Sequence, residues 1–163
     1  MEPTLERDPS LAGDIYALAA PRDTDCFLIA SNSGINGSVV EMARIVRDHG
    51  HRLIAITSLG HSRQVASRHP SGAKLYELAD VVIDTGTPLG DAGLPIGDAI
   101  VVGATSSLVG VTAVQMITEG VCRRLLDRGR TPPVYRSMNV PGSDQANAAL
   151  EAHYRGRVRP IEP

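Results

Sequence analysis

Tryptophan is absent from this sequence, and phenylalanine occurs once, at Phe27. With four tyrosines, aromatic residues amount to 3% of the 163. Single-stranded nucleic acid is gripped by stacking bases on aromatic rings, so that role lacks its material, and a flavin would find little to stack on. Cysteine is nearly as scarce: Cys26 and Cys122 stand alone, without the spacing of a metal site or a disulfide framework. Both read as small buried hydrophobes of a reducing compartment. Neither sign of charge dominates, with 16 Lys and Arg against 18 Asp and Glu. A net charge of −2 leaves no electrostatic footprint for nucleic acid or an anionic membrane. The first residues are acidic and proline-bearing, unlike a secretory leader. One uncharged stretch, Ala99 to Thr118, approaches the length of a bilayer span. It contains Gly103, Thr105, Ser106, Ser107, Gly110, Thr112 and Gln115, and it divides better into a strand and a capped helix.

What the sequence has in quantity is small polar residues at one junction. Cys26 to Ala30 is a short apolar run, and Ser31-Asn32-Ser33-Gly34-Ile35-Asn36-Gly37-Ser38 follows it. A helical pattern then begins, with Val39, Val40, Ala43 and Val46 on one side and Arg44, Arg47 and Asp48 largely on the other. A strand ends, a hydroxyl-rich glycine loop turns, and a helix starts. The free N–H groups and partial positive charge of a helix start suit an anion, and glycines let the backbone come close. Ser, Asn and Gly are also ordinary cap and turn residues, so capping alone stays open at this point.

Periodicity sets out the rest. Residues 1–10 read as loose, and Leu11 to Ala20 as a helix ended by Pro21. Strands are expected at Cys26–Ala30, Leu53–Thr57 and Val81–Asp84, and a helix at Gly37–His49 capped by Gly50. Ser58 to Ala73 reads as one long polar loop, a kind that is often functional, and Lys74 to Ala79 as a helical turn or two. Thr85 to Gly93 reads as loop, then a hairpin of Leu94–Ile96 and Ala99–Val102 around Gly97-Asp98. A long helix spans Ser106 to Arg128, capped by Thr105 or Ser106, with apolar residues around much of its middle, which predicts burial. Tyr135 to Asn139 is irregular or an edge strand. A last helix, Ser143 to Arg155, is capped and anchored by Asp144 and Asn147. Alternating strand and helix predicts an α/β fold with a parallel sheet. Ligands in such folds bind beyond the carboxyl ends of the strands, where Ser31–Ser38, Ser58–Ala73 and Asp84–Asp91 converge.

These residues resemble a known family. Ser31-Asn32-Ser33-Gly34-x-Asn36 is similar to the phosphate loop of sugar isomerase (SIS) domains. Ala55 to Ser62, Ser67 to Glu77, Ala79 to Asp84 with Gly90-Asp91-Ala92, and Pro132 to Ser137 resemble the uncharacterised UPF0309-type SIS-domain proteins. The resemblance covers roughly Leu11 onward, as one domain over residues 11–163. It implies a flavodoxin-like αβα sandwich, and dimers or tetramers. It also implies a helical arm, strand and glycine loop ahead of Ser31, for which this sequence has no counterpart. N-terminal strands of the fold are therefore expected to be lacking. The first strand would then lie at an open edge, and this chain by itself would be catalytically silent or nearly so.

The resemblance implies a phosphosugar-binding protein, with a phosphorylated sugar or amino sugar as partner, no cofactor, no metal and a cytoplasmic location. Ser31, Asn32, Ser33, Gly34, Asn36, Gly37 and Ser38 would hold the phosphate, and Ser58, Ser106 and Ser107 the sugar. For Ser106 and Ser107, N-capping is an equal alternative. Aldose–ketose isomerisation needs a base to move a proton between neighbouring carbons and an acid for ring opening. His61, His69, Asp91 and Glu119 are the candidates. Arg68-His69-Pro70-Ser71-Gly72 could equally pin its loop by hydrogen bonds. The alternatives to an isomerase are a non-catalytic phosphosugar-sensing or oligomerisation module and, with less support, a flavodoxin-like redox protein.

Overall fold

The computed structural model describes residues 4–157, which fall into two compact units, one running to Gln115 and the other from Met116. In the first unit, β1 (Cys26–Ala30), β2 (Arg52–Thr57) and β3 (Val81–Asp84) form a parallel sheet in the order β1-β2-β3. Phe27 pairs with Leu53, Ala30 with Ile56, and Thr57 with Asp84. The strands end in register, which gathers their following loops at one end. The α/β reading with a parallel sheet is borne out, and β1 lies at the edge of this sheet.

One sheet face is covered by α1 (Leu11–Ala19), α2 (Gly37–Asp48) and α4 (Leu75–Leu78). Val40, Ala43 and Val46 recur at helical spacing and are fully buried, as are Leu53, Ala55 and Leu75. Phe27, Ile29, Met42 and Tyr16 pack around them. Buried His51 donates from Nδ1 to the Asp25 carbonyl and accepts from the Tyr16 hydroxyl at 2.8 Å. The opposite face is barer. Leu28 is 38% exposed and Val81 52%, although strands so apolar read as covered on both faces. Cys26, expected to be buried, points to this open side and is exposed, while Cys122 is half-buried.

Three local expectations change. The segment after Ser58 is not all loop, because α3 (Leu59–Gln64) begins there, its cap formed by the Ser58 hydroxyl accepting from the His61 N–H at 3.0 Å. The segment before α1 holds a 3-10 turn at Leu5–Arg7, and the Ser38 hydroxyl donates to the Glu6 carbonyl at 2.7 Å. The hairpin is longer than its apolar run suggested, with β4 (Ala92–Ile96) antiparallel to β5 (Ile100–Ala104).

Helix α5 (Thr105–Asp127) continues from the first unit into the second. None of its residues is buried within this chain: Leu108 is 74% exposed and Met116 69%. Its apolar side chains find too few partners within the described residues. The second unit continues with α6 (Ser143–His153). Asn147 anchors that helix as expected, accepting from the Arg136 N–H and donating to the Arg136 carbonyl, both at 2.9 Å. No strand forms at residues 135–139. No helix among the described residues is long and apolar enough to cross a membrane.

Candidate functional site

The carboxyl ends of β1, β2 and β3 deliver Ser31-Asn32, Ser58 and Thr85 to one end of the sheet. A pocket of about 120 Å³ opens there, lined by Ala30, Ser31, Asn32, Ile56, Thr85, Ser106, Ser107 and Gly110. Three of the sequence-predicted serines therefore share one small concavity with Asn32. Ligand pockets commonly measure roughly 300–1,000 Å³, so this one encloses a phosphate-sized group or one edge of a sugar. A larger cavity of about 440 Å³ lies in the second unit, between residues such as Tyr135, Leu150 and Tyr154. It holds none of the predicted site residues, and chemistry favours the smaller one.

Asn32 organises the pocket. Its backbone carbonyl accepts from the Ser58 N–H at 2.9 Å and the Thr57 hydroxyl at 3.1 Å, which tie the first loop to the end of β2. Its side-chain oxygen accepts from the Thr87 hydroxyl at 2.6 Å. Its amide nitrogen therefore faces His61 Nδ1, at a long 3.4 Å. Thr87 has only one hydroxyl proton, so Thr85, at 3.1 Å, donates to Thr87. A directed chain runs from Thr85 through Thr87 and Asn32 to His61. Thr87 is buried, and sequence reading passed over it because Thr-Gly-Thr after a strand looks like plain turn material.

The glycine loop is built as the sequence implies, with Gly34 in the left-handed region at φ +62°. A Cβ there would stand 3.0 Å from Thr57 Oγ1 and 3.1 Å from Leu75 Cβ, so glycine is required twice over. The Ser31 hydroxyl accepts from the Gly34 N–H at 3.3 Å. Buried Asn36 accepts from the Arg68 guanidinium at 2.7 Å, which turns its own NH₂ away. Arg68 brings a positive charge that spacing alone did not show. The start of α2 is less open than expected. Arg7 and Pro9 lie against Gly37, where a Cβ would meet the Arg7 carbonyl, and Ser38 is engaged with Glu6. Ser58 is fully buried, donating to the Thr87 carbonyl at 2.7 Å while it caps α3.

The acid–base candidates separate. His61 is half-buried and stands behind Asn32, outside the residues that line the pocket. Asp91 has φ +69° and sits under the start of α5. Its carboxylate accepts from the Ser106 N–H at 2.6 Å, the Ser106 hydroxyl at 2.5 Å and the Thr105 hydroxyl at 3.1 Å. Partial burial pushes this carboxyl up. The bonds from Ser106 and Thr105, with His61 nearby, outweigh that and hold it below the ordinary aspartate value. Buried His69 is gripped at both nitrogens, with Ser71 Oγ at 2.7 Å from Nδ1 and Glu41 at 2.8 Å from Nε2. This is the geometry of a pinned loop. Glu119 lies on an exposed turn of α5, paired with Arg123 at i, i+4. Among the described residues no cluster of His, Cys, Asp and Glu is placed to hold a metal ion.

Residues 2–58 match the SIS domain family. A UPF0309 protein of Halalkalibacterium halodurans is 43% identical over 151 residues, covering 92% of this chain and 62% of that protein. A UPF0309 protein of Listeria monocytogenes is 39% identical over 138 residues, 84% of this chain and 59% of that protein. One of Brucella anthropi is 39% identical over 137 residues, 83% and 55% respectively. The chain spans about three fifths of the length of these relatives. The glycine loop thus begins in a stretch, residues 2–58, that matches the SIS domain family, in a chain similar over most of its length to the UPF0309 proteins.

Proposed function

We propose that this chain binds a phosphorylated sugar or amino sugar at the carboxyl ends of β1–β3. The observation that carries the reading is the pocket between Ser31, Asn32, Ser106 and Ser107, beside a glycine loop within the SIS-domain match. The phosphate is taken by Ser31, Ser33 and the Asn36 amide, and the sugar by Ser106 and Ser107. Arg68 supplies compensating charge next to Asn36. The sugar extends past Ser106 toward His61.

The activity proposed for the site is aldose–ketose isomerisation of that phosphosugar, with His61 moving the proton. His69 and Asp91 are held by structural partners and Glu119 by Arg123, which favours His61 among the candidates. The second reading is a phosphosugar-sensing or oligomerisation module without catalysis, which the small volume of the pocket favours. The protein is further proposed to act in the cytoplasm as a homo-oligomer, a dimer or tetramer, consistent with the exposed apolar side chains of α5.

Thermal unfolding with a panel of ligands tests the binding reading, since a ligand that binds only the folded state raises Tm. Glucose 6-phosphate and glucosamine 6-phosphate should raise it, while glucose and glucosamine leave it unchanged. Equal shifts for phosphorylated and free sugars would remove the phosphate from the account. Turnover of the same panel, abolished by His61→Ala, would mark an isomerase, while binding without turnover is what both the sensor reading and the expectation of a chain silent by itself give.

A further inference from the structure

We infer that Asp91 is a positioning residue that fixes Ser106 as an acceptor of sugar hydroxyls, beside Thr85, which Thr87 fixes in the same way, while Ser31 keeps its proton for the phosphate. This rests on the phosphosugar reading above and adds to it which wall faces which part of the ligand.

An ionised carboxylate only accepts hydrogen bonds. Asp91 takes the Ser106 hydroxyl at 2.5 Å, so Ser106 gives its single proton to Asp91 and turns only lone pairs to the pocket it lines. Thr85 has the same restriction by another route. Thr87 spends its proton on Asn32, so Thr85 spends its own on Thr87. Two hydroxyls that look amphoteric in sequence thus become fixed acceptors. Ser31 is the reverse. Its oxygen accepts from the Gly34 N–H, and among the described residues its proton meets no acceptor. One pocket therefore has a donor wall, fit for an anion, and an acceptor wall, which repels an anion and suits an alcohol.

The fold holds Asp91 to this task. The Thr105 N–H donates to the Asp91 carbonyl at 3.0 Å and the Thr105 hydroxyl to the same carbonyl at 2.8 Å. These bonds close the ends of the β4–β5 hairpin onto the first turn of α5. Asp91 adopts a left-handed backbone conformation that non-glycine residues seldom take, a strain that contacts on both sides of the hairpin maintain. Its lowered pKa keeps it ionised, and so accepting, at neutral pH.

Asp91→Asn is the direct test. The asparagine oxygen still accepts from the Ser106 N–H, but its NH₂ now donates to Ser106 Oγ, freeing the Ser106 proton to face the pocket. Affinities for inorganic phosphate and for glucose 6-phosphate are measured by calorimetry on the full chain. In the wild type glucose 6-phosphate binds more tightly than phosphate. In Asp91→Asn that preference should fall by about five- to tenfold, the worth of one ordinary hydrogen bond, with phosphate affinity kept or raised. Ser106→Ala leaves the other contacts of Asp91 in place and should lose the same preference with the fold intact. If both affinities fall together, or the preference survives in both variants, Asp91 is structural only and the inference is overturned while phosphosugar binding stands. If the wild type binds neither compound, the phosphosugar reading fails and takes the inference with it.

Discussion

Single residues decide this site through partners far away in sequence. Asp91 reads as a possible base from its type, yet it serves the start of α5, and its partners Thr105 and Ser106 are 14 and 15 positions on. His69 reads as a loop histidine, and Glu41, 28 positions before it, is what makes it a pin. No local pattern signals either pairing. Gly34, by contrast, was legible, since its place between Ser33 and Ile35 at a strand-to-helix turn asks for a left-handed residue. Gly34→Ala should cost about 1–2 kcal/mol from backbone strain alone, more as the new Cβ meets Thr57 and Leu75, read by urea denaturation. Asp80 carries a pH signature. Its carboxylate accepts from the Leu53 N–H at 2.8 Å and the Arg52 guanidinium at 2.7 Å, which lower its pKa. A carboxyl lowered by folding stabilises above its unfolded value, about 4, and that contribution is lost as pH falls through the lowered one. Acid denaturation should therefore steepen below about pH 4. Asp80→Asn should flatten this acid limb and be less stable at neutral pH, and an unchanged profile would contradict the assignment.

Among the elements, those with a full apolar period were read within a residue or two. Helix α2 and the three parallel strands follow from Val40, Ala43 and Val46 and from runs such as Leu53 to Thr57. Helix α3 was not, because Leu-Gly-His-Ser-Arg-Gln has no apolar stripe and six residues are too few to show one. Its only signal was Ser58 in the cap position. Ser58→Ala removes that cap and also orphans a buried bond to the Thr87 carbonyl. A loss of about 1–3 kcal/mol is expected, with hydrogen exchange at the His61 amide accelerating in step. Helix α5 was correctly placed, and the cover its apolar residues call for is not supplied by the described residues of this chain. Apolarity predicts that a helix seeks cover, and the sequence does not say whether cover comes from the same chain.

At the scale of the whole molecule, that uncovered surface is the largest departure from an ordinary single chain. Leu108, Val111 and Met116 on α5 are all more than half exposed, as are Leu94 and Ile96 on the hairpin, and exposed apolar surface beyond scattered single residues marks contact surfaces. Light scattering at micromolar concentration should show a species larger than the 17.2 kDa chain, shifted toward monomer by Leu108→Glu; a clean wild-type monomer would refute self-association. The central claim concerns what the pocket holds, and calorimetric titration of glucose 6-phosphate against glucose tests it most directly. Each charge-assisted hydrogen bond to the phosphate contributes roughly 1.5–3 kcal/mol. The account predicts that glucose 6-phosphate binds far more tightly than glucose, and that Ser33→Ala weakens it by about tenfold or more. Equal affinity for glucose and glucose 6-phosphate, unaltered by Ser33→Ala, would contradict it.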